Sequence, residues 1–189
     1  DATAIDAKKG TVVGTLALGG DAEAAVVDHQ GHLYVNLQDK NVLEMIDTRH
    51  LKVLHQWPLA PGNRPTGLAL DAAHHRLYAT CQNQKMVVVD ARSGKVLGVV
   101  PIGEAPDAAE YDAATGLAFS PNAKSATLTV VRDLTVVGTV PTLKGAGNMA
   151  LDPKTHRVYL VSARWTAVHG YKRDYVPGSF QLMVVGTTR

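Results

Sequence analysis

The chain is built of short apolar runs, cut by Gly, Pro, Asp and Asn, and the runs return at a fixed interval. An aspartate closes an apolar run at Asp6, Asp47 and Asp90, with Arg132 at the fourth equivalent place, giving spacings of 41, 43 and 42 residues. A second aspartate closes another run at Asp28, Asp71, Asp112 and Asp152, with spacings of 43, 41 and 40. After each of these comes a polar turn and then a run holding an aromatic ring: Tyr34, Tyr78, Phe119 and Tyr159. Two interleaved markers keeping one period define a tandem repeat.

Each unit holds four runs, which in the second complete unit are Thr66 to Leu70, Arg76 to Thr80, Met86 to Val89 and Lys95 to Ile102. Runs rich in Val, Leu and Tyr between turn-forming residues are strand chemistry, and no helical periodicity of adequate length competes. A lone four-stranded sheet would leave both apolar faces wet, so the units must stack on one another. The pattern predicts an all-β fold, a β-propeller of four-stranded antiparallel blades. The first run of a unit is small and apolar (Ala24 to Val27; Gly67 to Leu70) and is expected nearest the axis. The last run is more polar (His50 to Trp57) and is expected outermost.

The units divide the chain into residues 1–20, the last two strands of an incomplete blade, and then blades at 21–60, 61–103 and 104–142. Residues 143–189 form an incomplete last blade interrupted by a loop at 164–178, the one segment outside the repeat. Arg132 reaches its next strand at Val136 sooner than Asp90 reaches Val96, which predicts missing residues at that turn.

The stretch Asp90-Ala91-Arg92-Ser93-Gly94-Lys95-Val96, followed by Pro101-Ile102-Gly103, resembles the YVTN β-propeller repeat family, including its YncE-type exported bacterial members. The naming tetrapeptide survives as Tyr34-Val35-Asn36 and Tyr78-Ala79-Thr80 and is degraded in the later copies. The resemblance covers essentially the whole chain. It implies a ring of about seven blades, of which this chain holds the C-terminal portion, three complete and two partial. It also implies a periplasmic or extracellular location, and a ring completed by further residues or by another chain.

Composition narrows the functional classes. Net charge is +2, far from the concentrated basic character of a dedicated nucleic-acid binder. No window approaches the ~18 apolar residues of a membrane-spanning helix. One cysteine, Cys81, excludes an intrachain disulfide and a thiolate metal cluster. The histidines at 29, 32, 74, 75 and 156 fall in turns of different units, too far apart to share an ion, so neither a metal nor a cofactor is expected.

Loops on a rigid scaffold carry function. The connections between units and between the second and third strands bring Arg64, Lys85, Asp107 and Asn148 to one face. Lys40, Lys85 and Lys124 recur there as an arc of cations, and Glu23 and Asp107 form a candidate carboxylate pair. The insertion adds Arg164, Trp165, His169, Tyr171, Lys172 and Arg173, a mixture of cations and rings suited to stacking bases or gripping anionic sugars and phosphates. No nucleophile elbow or phosphate loop accompanies them. The expected function is a non-catalytic binding or scaffold module for a protein or small ligand. The alternatives are a nucleic-acid or polyanion binder acting through residues 164–175, and a propeller enzyme such as a lactonase.

Overall fold

The computed structural model describes residues 1–169 and 172–186. Those residues form strands and turns, with no helix among them. The first sheet is a hairpin of β1 (Ala2–Asp6) and β2 (Thr11–Leu16). Three four-stranded sheets follow: β3 (Ala22–Val27), β4 (His32–Leu37), β5 (Val42–Asp47) and β6 (Lys52–Pro58); β7 (Pro65–Asp71), β8 (Arg76–Cys81), β9 (Lys85–Asp90) and β10 (Val96–Pro101); β11 (Glu110–Asp112), β12 (Leu117–Asn122), β13 (Thr127–Arg132) and β14 (Thr135–Pro141). The last sheet joins β15 (Met149–Asp152) and β16 (Arg157–Ser162) to β19 (Gln181–Val185). Between β16 and β19 lies a separate hairpin, β17 (Trp165–His169) and β18 (Lys172–Tyr175).

Every pairing is antiparallel between strands in chain order, apart from the step over that hairpin. Two expectations are corrected. The segment 164–178 is in large part a β-hairpin, because its Trp, Thr, Val and Tyr are strand formers and the register sets Trp165 opposite Tyr175. After Arg132 the chain closes a tight turn without need of further residues. That residue pairs directly with Thr135, and Asp133, with a φ of 53°, lets Asp133 and Leu134 make the turn alone.

The sheets stack in sequence, and the side chains of the middle strands alternate between the two interfaces. Leu77, Ala79, Val87 and Val89 face the preceding sheet, packing with Tyr34, Leu43 and Met45. Their neighbours Tyr78, Met86 and Val88 face the following sheet, packing with Ala118 and Val131. Phe119 and Leu128 then meet Val158 and Leu160 of the last sheet. Burial on both faces is what turns Met86 to Val89 into an unbroken apolar run rather than an alternating one. Adjacent sheets approach most closely at their first strands, where β3 lies on β7, β7 on β11, and β11 on β15, a propeller-like arrangement. At Gly67 the approach is backbone to backbone: a Cβ there would lie 2.2 Å from the carbonyl carbon of Ala108 in the next unit.

Polar pins join the same interfaces. The Tyr34 hydroxyl donates to the Ala91 carbonyl at 3.1 Å, and the Asn36 amide donates to the Gly67 carbonyl at 3.0 Å. Thr66 Oγ1 donates to the Pro106 carbonyl at 2.9 Å, and the Tyr111 hydroxyl to Asp71 Oδ2 at 2.9 Å. Burial of Asp71 favours its neutral form, but hydrogen bonds from Tyr111 and His74 outweigh that and hold the carboxyl below its ordinary value.

Two outcomes are expected. Gly67→Ala pushes two sheets apart at their tightest contact and costs about 1–3 kcal/mol, read as a lower urea midpoint. Asp71→Asn is destabilising at neutral pH. Because the folded carboxyl titrates below the ordinary 3.8, that cost holds above pH 3.8 and disappears as pH falls through the depressed value. Urea titrations of the parent and Asp71→Asn at neutral and acid pH measure the gap, which should close in acid.

Candidate functional site

The recurring aspartates are turn-makers. Asp47 Oδ1 accepts from the backbone amides of Arg49 and His50 at 2.8 and 3.1 Å, and its Oδ2 meets His50 Nδ1 at 2.6 Å. The hydrogen bonds from His50 lead those that hold this carboxyl down at about 2. Asp90 accepts in the same way from Arg92 and Ser93. The histidines serve these carboxylates one by one: His32 pairs with Asp28, His74 with Asp71, and His156 with Asp112 across two sheets. Among the described residues, no group of three or more His, Cys, Asp or Glu could hold a metal ion. Cys81 is buried, and its burial pushes the thiol up to about 12, so it sits as an unreactive apolar group.

On the face expected to carry function, the loops are tied to one another. Arg64 donates from its guanidinium to Gln38, and Gln38 donates to Glu23 at 2.9 Å, a chain that crosses from one sheet to the next. The cationic arc is largely neutralised. Lys40 lies 3.2 Å from Asp39, and Lys124 lies 2.7 Å from Glu104, while Lys85 reaches the Pro61 carbonyl at 3.5 Å. Glu23 and Asp107 have different neighbours: Glu23 serves Gln38, and Asp107 lies against the backbone of Gly147. Arg64 and Lys85 thus each tie neighbouring loops together.

The insertion is where a concave site forms. Trp165 is half-buried, its ring edge seated over Gly145, where a Cβ would lie 2.5 Å from Cζ3. Glycine is required at that position twice over, since its φ is +86° as well. A cleft of about 420 Å³ opens on one side of the indole, lined by Leu143, Lys144, Arg164 and Gln181. A second of about 420 Å³, lined by Asn148, Tyr175, Val176 and Phe180, also reaches Trp165. Ser162 and Ala163 line both.

The base of the hairpin is fixed by hydrogen bonds. Ser162 Oγ donates to the Lys144 carbonyl at 2.7 Å, Arg164 N donates to Ser179 Oγ at 3.0 Å, and Ser179 Oγ donates to the Val176 carbonyl at 2.6 Å. These bonds hold Trp165 and Arg164 on a rigid base, with the exposed side chains of Lys144 and Arg164 at one rim.

The structure therefore brings together Asn148, Arg164 and Trp165 from the sequence-derived set. Tyr171 lies outside the described residues, as do the side chains of His169, Lys172 and Arg173. Lys144, Tyr175 and Gln181 were not singled out from the sequence. The signal for Lys144 was its place in the connection before Asn148, but nothing in a linear reading joins that connection to the insertion.

A larger cleft of about 1040 Å³ lies between the fourth and last sheets, lined by Phe119, Val130, Val140, Val158 and Val185 with His156 and Asp112 at its polar end. It opens beside β19, which has no further strand paired beyond it among the described residues.

No family model matches the chain, and no curated protein does. Among solved structures, Kuenenia stuttgartiensis hydrazine synthase is similar, with a TM-score of 0.70 at 15% sequence identity. The match covers 80% of this chain and 45% of that one, so the chain spans less than half the length of the protein it matches. At that identity the likeness is one of fold alone. The described residues form an all-β stack that includes three four-stranded antiparallel sheets, in a propeller-like arrangement.

Proposed function

We propose that this chain is a non-catalytic binding module, part of an exported YVTN-type propeller whose sheets are its blades, and that it takes an acidic saccharide beside Trp165. The observation that carries this reading is the pair of clefts flanking one indole on a rigid base. Each is of the size that small ligands use. An indole offers a broad apolar surface for the C–H face of a pyranose. Arg164 and Lys144 at the rim supply charge for a carboxylate, Arg164 with the planar fork that matches it. Ser162, Asn148 and Gln181 add polar groups for hydroxyls. The His32–Asp28, His74–Asp71 and His156–Asp112 pairs sit in turns outside the lining of these clefts, which favours binding over turnover. The Tyr34-Val35-Asn36 and Tyr78-Ala79-Thr80 segments support the family and, through it, the exported location.

The test is calorimetric titration with a galacturonate tetramer, with maltotetraose and a single-stranded oligonucleotide as comparison probes. The galacturonate should bind, maltotetraose should not, and Trp165→Ala should weaken binding at least about tenfold, roughly 1.4 kcal/mol. Equal binding by Trp165→Ala, or no binding of the acidic sugar, defeats the proposal. Tighter binding of the oligonucleotide, falling steeply with salt, would replace it with polyanion recognition by the hairpin.

A further inference from the structure

A cleft of about 410 Å³ lies where the first strands of three consecutive sheets converge. It is lined by Val26 of β3, Leu68 and Leu70 of β7, and Glu110 and Tyr111 of β11, with His29 from the turn after β3. Each of these sheets is four-stranded and packs against a described sheet on either side. The lining side chains are apolar apart from Glu110, His29 and Tyr111, and the Tyr111 hydroxyl is already committed to Asp71.

Glu110 breaks the pattern of the repeat. The first-strand residue opposite the aromatic ring of each unit is Val26 beside Tyr34, Ala69 beside Tyr78 and Ala150 beside Tyr159, but Glu110 beside Phe119. Its carboxylate also differs from those of the turn aspartates. Asp28, Asp71 and Asp112 each hold a histidine, whereas no hydrogen bond or ion pair reaches the Glu110 side chain among the described residues. Burial alone pushes this carboxyl above its ordinary value. A half-buried charge without a partner costs stability that an apolar residue at the same place would not. Tyr111 beside it is fixed by stacking on Tyr78, with 5.6 Å between ring centroids and 13° between planes.

We infer that this cleft binds a small organic ammonium ion, whose charge Glu110 neutralises and whose hydrocarbon body rests on Val26, Leu68 and Leu70. The chemistry of the lining selects that class. An anion would be repelled by the carboxylate. A metal ion needs several ligands, and no group of three or more His, Cys, Asp or Glu stands ready for one among the described residues. An ammonium with an apolar body satisfies the carboxylate and the aliphatic wall together, and partial desolvation strengthens the ion pair. His29 can accept one further N–H hydrogen bond, and Tyr111 is an aromatic neighbour of the type that favours cations. The site shares no residue with the clefts beside Trp165 and does not depend on what they bind.

The experiment is calorimetric titration of the whole chain at neutral pH with phenethylammonium, with phenethyl alcohol and phenylpropionate as its neutral and anionic counterparts. The ammonium should bind at least about tenfold more tightly than the alcohol, and the anion should not bind. Glu110→Gln keeps the shape and removes the charge, so it should weaken ammonium binding at least about tenfold, to the level of the alcohol. Glu110→Ala, the residue that β7 and β15 carry at this place, serves as a second variant. Trp165→Ala should leave ammonium binding unchanged. The urea midpoint of Glu110→Gln should be no lower than the parent's, because the substitution removes an unpartnered charge. Absence of ammonium binding, equal binding of the alcohol, or undiminished binding by both Glu110 variants overturns the inference. So does a lowered midpoint, which would make the carboxylate a structural group, and so does loss of binding in Trp165→Ala, which would place the ammonium against that indole.

Discussion

Burial of the middle strands on both faces is the constraint from which the rest of this structure follows. A sheet between two others must be apolar on alternate residues in both directions, and β8 and β9 satisfy this with Leu77 and Ala79 on one side and Tyr78 on the other, Val87 and Val89 opposed to Met86 and Val88. Consequently almost no charge can sit on those strands, and the polar residues collect in turns. The first strands, where sheets converge, have room for little beyond small residues. At Gly67 there is no room for a side chain at all.

Polar groups caught in these interfaces are made useful as pins. Hydrogen bonds to a neighbour's backbone or turn join the second sheet to the third, from Tyr34 to the Ala91 carbonyl, and the third to the fourth, from Thr66 to the Pro106 carbonyl and from Tyr111 back to Asp71. A satisfied buried hydrogen bond contributes modestly, but its loss leaves an unpaired group at a substantial penalty. Such pins therefore set the relative position of sheets that apolar contact alone would allow to slide. The conspicuous aspartates and histidines belong to this structural system, and this separates them from the Trp165 clefts, which arise in the one segment free of the repeat's demands.

Much of the fold was legible in the linear pattern because strand formation here depends on local features with a fixed period. Asp6, Asp47 and Asp90 each cap a tight turn by accepting neighbouring backbone amides, so they recur wherever that turn recurs. The run Met86 to Val89 is read as a strand and lies within β9, extended by one residue at each end. The hairpin at 164–178 was less legible, since its composition mixes turn and strand residues and it has no second copy to compare with. The lysine arc illustrates the same limit. Its periodicity was visible, but Asp39 and Glu104, which neutralise two of its members, could be matched to them only once the loops were folded together.

By itself the amino-acid sequence determined the class of the protein: the number of strands in a unit, their order, and the two-faced stacking that an unbroken apolar run requires. These follow from side-chain alternation and turn chemistry, which act over a few residues. Only the tertiary structure decided which loop residues share a pocket, that Lys144 and Arg164 stand at one rim beside Trp165, and which sheet faces find a neighbour. Those depend on contacts between segments far apart in the chain, whose geometry is set by how closely successive sheets can pack.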